Sequence, residues 1–147
     1  MAIAKRLIAP CGMDCALCIA HLRKNNPCQG CRQAEQNKPK TRIKCQLRTC
    51  PKRKGKYCFK CAEFPCDRLK HLDKRYRTFY RMSMLANLET IQQKGIKEFL
   101  KAEKKKWQCK KCAGLICCHN GLCINCQQKK IKNKKQKFRW VVQKAQP

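Results

Sequence analysis

The stretch "WQCKKCAGLICCHNGLCINC" carries the most specific chemistry in the chain: Cys109 and Cys112 form one C-x2-C pair, Cys123 and Cys126 another, with ten residues between them. A tight turn across two intervening residues points both thiolates at one tetrahedral ion, so two such knuckles predict a zinc ribbon with a closed four-cysteine site. A closed site has no open position for water and is therefore structural. Cys117, Cys118 and His119 lie in the loop between the knuckles, where each is an alternative ligand. The two cysteines read equally well as small buried hydrophobes.

A second concentration of thiols lies nearer the start. In "CGMDCALC", Cys11, Cys15 and Cys18 are spaced i, i+4 and i+7, which on a helix puts three sulphurs on one face. "GMDCALCIAHLRK" reads as that helix. Cys28 and Cys31 follow in "CQGC", then Cys45, Cys50, Cys58, Cys61 and Cys66. Ten thiols exceed two four-cysteine sites by two. The nearest mononuclear partition groups Cys15, Cys18, Cys28 and Cys31, then Cys45, Cys50, Cys58 and Cys61, leaving Cys11 and Cys66 spare or bridging. The alternative shares ligands, six thiolates on two zincs and four on a third. Two to four zinc ions are expected in all. His21, three residues after Cys18, is a further alternative ligand, although thiols are already in surplus.

The spacing C-x3-C-x2-C is also that with which radical S-adenosylmethionine enzymes hold a four-iron cluster. Such enzymes need most of a β/α barrel, and this chain has no succession of strands and helices to supply one. Neither usual ferredoxin cysteine run is present. An iron-sulphur protein therefore ranks behind zinc.

These thiols have to be positioned by a chain with little else to bury. Outside cysteine the apolar content is thin, so a core built by hydrophobic burial alone would be marginal and metal staples are expected. Between residues 67 and 107 there is no cysteine, and Leu69, Leu72, Tyr76, Phe79 and Tyr80 recur at helical spacing. Ser83 caps a second helix carrying Met84, Leu85, Leu88 and Ile91. Gly95 stops it, and "IKEFLKAEKKKW" then delivers Trp107 to the approach of Cys109. The predicted organisation is a multi-metal head over 1–66, an amphipathic helical linker over 67–107, a zinc ribbon over 108–127 and a basic tail over 128–147. The fold class is a small metal-stapled protein, mainly α with irregular cysteine-rich loops, its ribbon built on short β strands.

Lys and Arg number 37 against 8 Asp and Glu, a formal charge of +29. Zinc bound to four thiolates carries about −2, so three such sites would still leave the protein strongly basic. A polyanionic partner follows, nucleic acid or ribonucleoprotein. Arg75, Arg77 and Arg81 in "KRYRTFYR", with Lys134, Lys135, Lys137, Arg139 and Trp140 towards the end, are the candidate contacts, the interleaved aromatics stacking on bases. The other reading of the charge is a solvated face. No apolar segment is long enough for a membrane span or a signal peptide, which points to a cytoplasmic protein with reduced thiols.

Taken in order, "APCGMDCALC", "CQGC", "CQLRTC…YCFKCAEFPCDRL", "NLETIQQKGIKEFL" and the C-terminal cysteine stretch resemble a family of cysteine-rich bacterial and archaeal proteins, catalogued as a domain of unknown function and regarded as zinc-binding. The resemblance covers about residues 9 to 126. It implies that all ten head cysteines fall on family cysteine positions, and that Cys118 and His119 in "ICCHNGLC" are family features. One departure is Ala113, directly after Cys112, where the family more often has glycine. The resemblance brings no activity with it. The residue inventory speaks against an enzyme: there is no serine-base pair or phosphate loop, and Asp14, Asp67 and Glu63 read as caps or local charge partners. A binding module with structural zinc is thus set against a thiol-based zinc-handling or redox protein, whose clustered lysines would favour thiolates.

Overall fold

A computed structural model describes residues 3–126. The chain is mainly helical, with many cysteines and no strand among the described residues. Helices α1 (Ile19–Leu22) and α2 (Lys40–Ile43) are single turns in the head, and α3 (Asp67–Phe79), α4 (Met84–Lys94) and α5 (Ile96–Trp107) form the helical body. Three 3₁₀ turns, Lys5–Leu7, Cys15–Leu17 and Cys58–Lys60, complete the regular structure.

The three long helices lie where their periodicity puts them. α3 buries Leu69 and Tyr76, α4 buries Met84, Leu88 and Ile91, and α5 buries Phe99 and Trp107. Ser83 caps α4 by accepting from the Ala86 N–H at 3.0 Å, and Gly95 ends it at φ +86°, a conformation that costs a side-chain-bearing residue more. Asp73 on α3 joins the two helices. Its carboxylate accepts from Ser83 Oγ at 2.7 Å, from the Leu85 N–H at 3.1 Å and from Arg77 Nε at 2.6 Å.

These helices do not stand apart from the head. Ile8 and Leu17 of the head share one core with Leu69, Met84 and Leu88, and that core continues through Trp107 to Leu115 and Cys118. Gly12 is fitted against α4: at φ +92° its added Cβ would lie 2.7 Å from the Met84 carbonyl oxygen, and its own carbonyl accepts from Asn87 Nδ2 at 2.8 Å. Asp14 caps the Cys15–Leu17 turn through the Ala16 N–H, as a local cap should, and is wholly buried against Glu103 of α5. Burial and the neighbouring Glu103 carboxyl push Asp14 up to about 8.

The N-terminal cysteine run departs from the expected helix. Cys15 begins a 3₁₀ turn, Cys18 is extended at φ −78° and ψ 135°, and α1 starts only at Ile19. Cys11, Cys15 and Cys18 therefore do not form one helical face. Gly12 breaks the run with its positive φ, and extended Cys18 redirects the chain. The C-terminal module is likewise not built on strands: isolated antiparallel bridges at Gln108–Leu115 and Ile116–Cys123 take their place.

His119 fastens this module to the rest. Its Nδ1 accepts from the Ile19 N–H at 3.2 Å, which leaves the proton on Nε2 to donate to Tyr76 Oη at 3.0 Å. Arg42 donates to the same phenol oxygen at 3.1 Å. Burial first, with Arg42 and Arg75 nearby, holds the imidazole down to about 4. His119→Phe leaves the Ile19 N–H unpaired and Tyr76 Oη with Arg42 as its remaining partner, and should cost about 1–3 kcal/mol in denaturant unfolding at pH 7. The unfolded state takes up this proton below about pH 6.5 and the native state only near 4, so the difference between wild type and variant should narrow as pH falls through that window.

Candidate metal centre

The C-terminal tetrad is assembled by backbone geometry just after α5. The Cys109 N–H donates to the Gly114 carbonyl at 2.6 Å and the Ala113 N–H to the Cys109 carbonyl at 2.9 Å, which closes the first knuckle. Ile116 N–H bonds the Trp107 carbonyl at 2.9 Å and Ile124 N–H the Leu115 carbonyl at 3.0 Å, bringing the second knuckle back onto the first. The sulphurs of Cys109, Cys112, Cys123 and Cys126 consequently all lie within 4.8 Å of one another. Among the described residues they form the one group of three or more cysteine, histidine or carboxylate ligand atoms drawn together this closely. Four thiolates are a donor set suited to a metal ion, and zinc fits it.

Four adjacent sulphurs cannot all ionise without a cation. Hydrogen bonding from Cys126 and from the Gly114 N–H brings Cys112 down to about 6, while its neighbours' sulphurs, Cys112 first, push Cys126 up to about 12. A divalent ion offsets that repulsion and displaces the remaining protons, so metal affinity must fall with falling pH. Backbone N–H groups of Gly114, Asn125 and Cys126 point at the sulphurs from 3.4 Å. Cys117 and Cys118 are wholly buried, Cys118 with its N–H on the Leu17 carbonyl, and His119 turns to Ile19 and Tyr76. These three residues thus lie outside the tetrad.

The head cysteines fall into two neighbourhoods. Cys11, Cys15, Cys18, Cys28, Cys31 and Cys45 line one chamber of about 30 Å³ between the head and α3. Cys50, Cys61 and Cys66 line an open cleft, and with burial first these three neighbours push the Cys58 thiol up to about 11. Cys45 therefore sides with the first set, and Cys66 joins Cys50, Cys58 and Cys61. This differs from the partition read off sequence spacing, because α2 carries Cys45 towards Leu72 and Tyr76 of α3. His21 lines the chamber with its Nδ1 2.6 Å from the Cys28 carbonyl. The Cys15 thiol bonds Cys31 and, with Arg42, Lys38 and Arg48 around it, brings Cys31 down to about 6 against the cost of burial.

Three cations at the chamber, Lys38, Arg42 and Arg48, were not legible as site residues, since the sequence is basic throughout. Glu103 is buried on the same helical stripe as Phe99 and Trp107, where its charge gives no sign of a core position. Of the residues expected to meet nucleic acid, Arg75 and Arg77 are exposed on α3 but Arg77 is paired with Asp73 at 2.6 Å. Arg81 is half-buried, at φ +55°. Tyr76, on the apolar stripe of α3, is 1 % exposed and packs on Tyr80 and His119, so of the aromatics interleaved in that stretch it is not placed to stack on bases. Lys134, Lys135, Lys137, Arg139 and Trp140 lie outside the described residues. Glu63 pairs with Lys52 at 3.2 Å and Asp67 sits in the first turn of α3, the local roles expected of them.

Residues 7–71 match the model of the family described as "Protein of unknown function (DUF3795)", a span that takes in the head cysteines and the start of α3. The cysteine-rich head and the candidate metal site fit the family that the motifs resemble. No curated protein and no solved structure matches the chain. No helix among the described residues is long and apolar enough to cross a membrane.

Ala113, directly after Cys112, takes φ +64°, a left-handed conformation that strains an L-residue. Ala113→Gly should relieve about 0.5–1 kcal/mol and tighten metal binding about two- to fivefold in chelator competition.

Proposed function

We propose that the protein is a zinc-binding module in which the C-terminal tetrad holds a structural ion and the basic surface engages nucleic acid or ribonucleoprotein, in a reducing compartment such as the cytoplasm. The observation that carries the metal half is the convergence of four cysteine sulphurs within 4.8 Å of one another. Such a site is coordinatively closed, so bound zinc contributes folding free energy and no Lewis-acid chemistry. Cys112→Ser should lose one zinc per chain by metal analysis, and wild type should release that zinc progressively on acidification because its ligands take up protons. A tetrad that keeps its zinc in the serine variant would refute the assignment.

The nucleic-acid half is supported by the charge of +29 and by an open groove lined by Lys44, Arg68, His71 and Arg75, with no carboxylate among its lining residues. Lys and Arg there would neutralise phosphates and release counterions, which makes affinity fall steeply with salt. Arg68→Gln with Arg75→Gln should lower affinity for a single-stranded oligonucleotide at least several-fold and flatten its dependence on salt by about two counterions. Fluorescence anisotropy across a salt series reads this, and an unchanged slope would refute the groove as the contact.

A further inference from the structure

The six-cysteine chamber is built differently from the C-terminal tetrad. Zinc bonds sulphur at about 2.3 Å, which draws four ligand sulphurs to within about 3.8 Å of one another. A pair of zincs sharing thiolates gathers four sulphurs around each ion at the same spacing. The tetrad, its four sulphurs within 4.8 Å of one another, comes near that compactness. In the head, where all ten cysteines are described, no three sulphurs approach one another within 4.8 Å, although six of them face a single chamber. Sulphurs arrayed around a space, and not around a point, fit a body larger than one ion.

Charge gives an independent indication. Lys38 is 6 % exposed, donates to the Gly30 carbonyl and lies 3.5 Å from Cys28 Sγ, with no carboxylate bonded to it. Arg42 lines the same chamber, its guanidinium bonded to the neutral phenol of Tyr76. Arg48, whose side chain is 12 % exposed, donates to the Cys31 carbonyl and reaches Glu35 at 3.6 Å. Burying cations this far from water is costly unless anionic charge faces them. Around this chamber the sulphurs are the groups that can supply it, and backbone N–H groups of Gly30 and Cys31 already approach Cys28 Sγ and Cys15 Sγ at 3.5 Å. N–H···S bonds, nearby cations and an apolar lid of Met13, Leu72 and Met84 are the means by which proteins stabilise and shield a cluster of iron and sulphide.

We infer that the chamber lined by Cys11, Cys15, Cys18, Cys28, Cys31 and Cys45 holds an iron-sulphur cluster, distinct in metal and in size from the ion of the C-terminal tetrad. Four of the six thiolates suffice as ligands. Of the remaining head cysteines, Cys50, Cys61 and Cys66 line an open cleft with Glu63 and Asp67, which is no such enclosure.

The full chain, reconstituted anaerobically with ferric iron, a dithiol reductant and sulphide, should bind iron and acid-labile sulphide in equal amounts and show broad visible absorption that bleaches on further reduction. Iron-edge X-ray absorption on the wild-type protein should give sulphur neighbours and an iron–iron vector, a readout that needs no variant. Cys15→Ser with Cys31→Ser should lower iron and sulphide at least fivefold while the zinc of the tetrad remains, and Cys112→Ser should do the reverse. Reconstituted protein that stays colourless with zinc alone, iron without an iron–iron vector, or equal iron loss from both variants would overturn the inference. Loss of zinc binding at the tetrad with the cluster intact would instead count against the zinc reading alone.

Discussion

The imidazole of His119 is the contact on which the arrangement of the parts depends. It reaches from the C-terminal module between Ile19, at the start of α1, and Tyr76, on α3, and both of its ring nitrogens are engaged. Arg42 extends the connection to the chamber wall by donating to the same phenol. A thin core cannot hold three such segments by apolar burial alone, and a directional contact fixes what greasy packing would leave slippery. Its neutrality matters as much as its geometry, since a charged ring would lose the Nδ1 acceptor that Ile19 requires.

Scarcity of carboxylates shapes the rest. With few acids to pair against, the chain uses them at junctions: Asp73 ties α3 to α4, and Asp14 is buried beside Glu103 where the head meets α5. Cations that find no acid turn to carbonyls, a phenol and sulphur. Lys38 illustrates the consequence, because its buried ammonium rests on the Gly30 carbonyl and beside the sulphur of Cys28, a candidate metal ligand. Metal chemistry and charge balance are therefore one problem here.

The helical body was legible because α3, α4 and α5 are amphipathic over several turns and have local signals at their ends, Ser83 and Gly95 above all. The tetrad was legible for a similar reason: two C-x2-C turns at short separation are nearly self-contained. The N-terminal thiols were not, because i, i+4, i+7 spacing serves a helix face and a succession of tight turns equally well, and Gly12 with extended Cys18 decides for turns. Which head cysteines share a neighbourhood depends on where α2 carries Cys45 against α3, a tertiary matter that spacing along the chain does not encode. Charged side chains taken into the interior, such as Lys38 and Glu103, were masked by the abundance of lysine in one case and by an apolar stripe in the other.

Seen from the Cys118 amide on the Leu17 carbonyl, the C-terminal cysteine stretch is not a portable finger. Grafted onto another protein it would expose Leu115, Cys117 and Cys118, which here are covered. The truncated remainder would in turn lose the lid over Leu17 and Tyr76. Modularity in this chain ends at the sequence motif, and the folded unit that could be moved, fused or inherited intact is the entire stretch from the head to the last knuckle.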